Sequence, residues 1–220
     1  MANDGAARLP TWRRLSGTGG GLLALSFFLP AVRSCNSDVV PVEELVKVTS
    51  YASTASDRAG AAFMYLAPYL FGLIVLVAAA LRAQAAQRAL GVASLGTLAS
   101  GIAMLVINFV RSASWGNNVD GKDLVLALPV SLSAAYLVRA ALRGDGGLLC
   151  VRWFAAALCV LWFGAWVISG SARYGVVLSF LGSAAIAAGA AGELHALTGL
   201  GRWALLWRIG TASIELPRPV

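Results

Sequence analysis

The chain has 220 residues, of which 59% are hydrophobic and only 12% charged, with a formal net charge of +7. Soluble domains sit near about 45–50% apolar and about 25% charged, so this composition excludes an ordinary soluble globular fold. The length leaves room for one helical bundle and no separate soluble domain.

The charge-free stretches carry the fold prediction. Six intervals, 15–32, 59–81, 89–110, 124–138, 153–172 and 174–192, contain no Asp, Glu, Lys or Arg and are mostly apolar. A helix needs about 20 such residues to cross the hydrocarbon core of a bilayer. The predicted fold is therefore all-α: a polytopic integral membrane bundle of six transmembrane helices. The expected division is a cytoplasmic segment 1–14, a membrane domain 15–192 and a cytoplasmic tail 193–220 with an interfacial helix.

Span one, 15–32, opens on Ser16-Gly17-Thr18-Gly19-Gly20-Gly21 and ends near Pro30, so its strongly apolar part, 22–32, is short. Arg13 and Arg14 ahead of that apolar core also resemble the start of a signal peptide. Val32-Arg33-Ser34-Cys35 makes a poor lipoprotein cleavage motif, because Arg33 stands where a small or apolar residue is expected. The external loop 33–58 follows, and in it Pro41–Val48 reads as a short amphipathic helix with Pro at its first turn. An extended reading of 46–51 is the alternative there.

Span two, 59–81, contains Pro68, which is expected to kink it. Span three, 89–110, carries two small-residue rows, Ala93, Thr97, Gly101 and Gly96, Ser100, which suit close helix packing. Ser94, Thr97, Ser100 and Asn108 on the same span are the candidate polar lining of a conduction path. Span four has 15 uncharged residues, 124–138, and extends to 142 if Arg139 snorkels to the interface. Spans five and six are 153–172 and 174–192, and span six repeats the small-residue row as Ser179, Ser183, Ala187 and Ala191. Trp12, Trp115, Trp153, Trp166, Tyr174, Trp203 and Trp207 are the expected interface anchors.

Counting six spans puts eleven of the 17 basic residues on one side: Arg8, Arg13, Arg14, Arg82, Arg88, Arg139, Arg143, Arg152, Arg202, Arg208 and Arg218. By the positive-inside rule both termini are then cytoplasmic. The bias of Arg over Lys and the Ala- and Gly-rich usage point to a bacterial inner membrane. Basic residues scattered among connections form no stripe for nucleic acid.

The chemistry-bearing groups are few. None of the six intervals holds a carboxylate, which argues against ion-coupled transport. His195 is the single histidine, and it diverges from Glu193 on a helix. Cys150 and Cys159 lie about 13.5 Å apart along a helix and cannot pair within it. Cys35 falls on the other side of the membrane, so all three cysteines are expected to be unpaired. No catalytic, cofactor-binding or metal-ligating set emerges, and a non-enzymatic protein is expected. The expected role is an accessory or scaffold subunit that packs on partner membrane proteins, or on copies of itself, within membrane lipid. A passive channel or carrier for a small or lipidic solute is the alternative.

Overall fold

The computed structural model describes residues 4–34, 37–51, 55–81 and 145–198. Predicted spans three and four, Cys35, and the tail beyond 198 lie outside these residues. The described part is mostly helical, and two of its helices are long and apolar enough to cross a membrane: Leu149–Ile168 and Tyr174–Leu197.

Helix α1 runs Asp4–Leu25 and passes into a 3-10 turn, Ser26–Phe28. The interval 15–32 is therefore not helical throughout. The cause is Pro30: its ring disfavours the helical region for the residue before it, and Leu29 is extended, with φ −111° and ψ 149°. The extended chain continues into β1, Val32–Ser34, which pairs antiparallel with β2, Ser37–Val39, in the register Val32↔Val39, Arg33↔Asp38 and Ser34↔Ser37.

Helix α2 spans Pro41–Tyr51 with Pro at its first position and Glu43 and Glu44 in its first turn, where a carboxylate complements the helix dipole. Val42 and Leu45 turn inward onto the core, while Glu43, Val46 and Lys47 face out. Lys47 donates to Glu44 at 2.8 Å, and this bond and charge push the lysine pKa up. The helical reading of this segment is the one the structure adopts.

Helix α3, Ala55–Leu81, continues through Pro68. Helices α4, Asp145–Ile168, and α5, Tyr174–Thr198, form a hairpin. The corner falls earlier than the predicted spans place it, because α4 closes at Ile168 with Gly170 at φ +75°. That left-handed conformation favours glycine. A Gly170→Ala substitution meets no neighbour within 4 Å yet still carries the backbone penalty. It is expected to cost about 1 kcal/mol, measurable as a lowered melting temperature in detergent.

The helices lie in the order α3, α1, α5, α4, with α1 contacting both α3 and α5 extensively and α5 also packing on α4. The core runs along these seams: Leu23 and Phe27 from α1 and its turn, Phe71 and Val75 from α3, Val151, Ala155 and Phe163 from α4, Ile186 from α5. Lipid is as apolar as leucine, so helix association in a bilayer depends on close packing and polar contacts rather than on hydrophobic burial. The glycines supply that closeness. A Cβ on Gly19 would stand 2.6 Å from the Gly182 carbonyl oxygen, and one on Gly20 would stand 2.5 Å from that of Gly72. The glycine run that made span one look weak is thus the crossing point of three helices, with successive residues facing opposite neighbours.

These contacts fix the directions. Trp12 meets Gly192, Gly19 meets Gly182 and Pro30 meets Gly175, so α1 and α5 are antiparallel. Gly17 meets Ala79 and Gly20 meets Gly72, so α1 and α3 are antiparallel too. One end of the bundle carries Arg13, Arg152 and Glu193; the other carries the β-hairpin and the α4–α5 corner. At the hairpin end the corner joins the sheet: Arg33 N–H donates to Ser171 O at 3.0 Å and Arg173 N–H to Ala31 O at 2.8 Å. Arg173 Nε also donates to Asp38 Oδ1 at 2.9 Å.

Large apolar side chains remain on the outside. Leu70, Leu73, Val77 and Leu81 on α3, and Leu158, Leu161, Trp162 and Trp166 on α4, are exposed.

Candidate functional site

The described residues hold one buried charge cluster, at the arginine end. Arg152 stands two turns into α4 and Glu193 near the end of α5, and each is only 3% exposed. Arg152 Nη2 donates to Glu193 Oε2 at 2.5 Å. Arg13 Nε, from α1, lies 3.9 Å from Glu193 Oε1, close enough for charge attraction and too far for a hydrogen bond. Three helices therefore converge on one carboxylate.

This corrects two expectations. Arg152 reads in the sequence as a loop residue that sets orientation, but it is a buried helical residue inside a candidate span. Span six reads in the sequence as ending at 192, before the charged Glu193, but α5 carries Glu193 inside it and runs on to Thr198. The physical reason is the same for both. A charge costs several kcal/mol to bury alone, and here each group brings the partner that allows burial.

One turn farther into the seam, Ser16 is buried with its Oγ against the site where Gly189 lacks a side chain. Trp12, predicted as an interface anchor, is half-buried with its indole over Gly192. A second polar group lies toward the hairpin end. Ser26 and Ser179 are buried with hydroxyl oxygens 2.7 Å apart. Ser26 also reaches Leu23 O at 2.7 Å and Ser179 reaches Gly175 O at 2.9 Å. Two hydroxyls have two protons for these three contacts, so only two of the three are hydrogen bonds at any moment. Tyr69 is packed between Phe27 and Phe163, with ring centroids 5.1 Å and 6.1 Å away, and so lines no open path. Replacing Ser179 by Ala is expected to cost about 1 kcal/mol, read as a lowered unfolding midpoint.

Ser179 and Ser183 of the predicted small-residue row are buried, Ser183 donating to Ser179 O at 2.8 Å. Ala187 packs against the core from a partly exposed position and Ala191 is half-buried. The closest approach to α1 is made instead by Gly182, Gly189 and Gly192, with Gly175 against Leu29 and Pro30 just past its end, glycines that the sequence reading passed over. Their signal was present: glycines seven residues apart return to one helix face after two turns. Trp153 is half-buried, Trp166 and Tyr174 are exposed. Ala93, Ser94, Gly96, Thr97, Ser100, Gly101, Asn108, Trp115, Trp203 and Trp207 lie outside the described residues.

The chemistry available is that of a lock. A carboxylate held by a permanent arginine charge accepts hydrogen bonds and positions helices. His195 lies two residues beyond Glu193 but on the exposed side of α5. Cys150 and Cys159 are buried free thiols. Among the described residues no three of His, Cys, Asp and Glu gather in a way that could hold a metal ion. No protein-family model, curated protein or solved structure matches the chain.

Proposed function

We propose that this protein is a six-span membrane bundle with both termini on the cytoplasmic side of a bacterial inner membrane. It serves there as an accessory or scaffold subunit rather than an enzyme, holding partner membrane proteins, or a second copy of itself, within membrane lipid. The carrying observation is how the described groups are used. Glycines and serines are spent on close helix crossings, the buried charges on one another, and the large apolar side chains face outward on α3 and α4. That distribution suits a rigid body embedded among lipid and other helices.

Helix directions support the span count. α3 finishes and α4 begins at the same, arginine-bearing end, a direction that agrees with a six-span reading in which 89–110 and 124–142 are the two intervening spans. The positive-inside rule turns the arginine end toward the cytoplasm.

Native mass spectrometry of the protein, extracted from its own membrane in mild detergent, tests the role. A defined assembly heavier than one chain, with stoichiometric companions or copies, is the expected result. A clean monomer carrying a bound lipid or solute overturns it and favours a passive channel or carrier.

A further inference from the structure

We draw no further inference here: the strongest candidate, the exposed apolar face of α4 formed by Leu158, Leu161, Trp162 and Trp166, carries nothing because nothing in the structure shows what covers it.

Discussion

Replacing Arg152 with Met, which keeps most of the side-chain volume and removes the charge, is expected to destabilise the bundle by about 3–5 kcal/mol. Glu193 would then be a carboxylate, 3% exposed, whose nearest cation is Arg13 at 3.9 Å with no hydrogen bond between them. Glu193→Leu should be similarly damaging, since it takes the carboxylate away from Arg152. The double variant Arg152→Met with Glu193→Leu is expected to recover most of the loss, because apolar side chains of similar volume often replace a buried pair at little cost. Unfolding midpoints of all four proteins in one detergent give the coupling between the two positions. Single variants within about 0.5 kcal/mol of the parent would show that water reaches the pair and that it locks nothing.

The second large effect is at the α1–α5 crossing. Gly182→Val places a branched side chain where the Gly19 carbonyl oxygen would be 2.7 Å from its Cβ and the Leu23 amide nitrogen 2.9 Å. Both obstacles are backbone, so no rotamer change relieves them and the helices must separate. Overpacking costs typically about 1–3 kcal/mol, and a backbone clash on both sides of a seam belongs at or above the upper end. Separation also withdraws Ser26 from Ser179, one turn away on α5. The expected readout is loss of folded, monodisperse protein on gel filtration. Gly170→Ala, outside the seam, should remain monodisperse with only a lowered melting temperature. If Gly182→Val purifies and melts like the parent, the close crossing is not what joins α1 to α5.

How far the sequence carries the fold can be judged element by element. Four of the six apolar intervals, 15–32, 59–81, 153–172 and 174–192, coincide largely with described helices, because apolar length is a bulk property that tolerates local exceptions; the other two lie outside the described residues. Pro41 with Glu43 and Glu44 placed the start of α2, since proline and acids at a first turn act locally. Ends were less legible. A charge reads in the sequence as the end of a span, and this fails where the charge is paired, as at Arg152 and Glu193. Yet that pairing has a trace in the chain: the two residues stand at equal distances from the Ala172–Arg173 corner, so an antiparallel hairpin brings them level. The end of α1 was set by Leu29 before Pro30, a backbone restriction that hydropathy does not register.

The candidate site was less legible than the fold. Small residues occur on several faces of α5, and sequence alone favoured the Ser179, Ser183, Ala187, Ala191 row. Only the position of α1 shows that the seam follows Gly182, Gly189 and Gly192. The Ser26–Ser179 bond joins residues 153 apart in the chain, and no local pattern encodes a contact at that separation.

The central claim is that the arginine end and the hairpin end lie on opposite sides of a membrane, and single-cysteine labelling in intact cells tests it most directly. With Cys35, Cys150 and Cys159 replaced by Ala, a cysteine is introduced at Arg14, Lys47 or Ser171, and each protein is treated with a membrane-impermeant maleimide before and after lysis. Lys47→Cys and Ser171→Cys should label in intact cells, and Arg14→Cys only after lysis. Labelling of Arg14→Cys and Ser171→Cys from the same side, or recovery of the protein in the soluble fraction, would contradict the account.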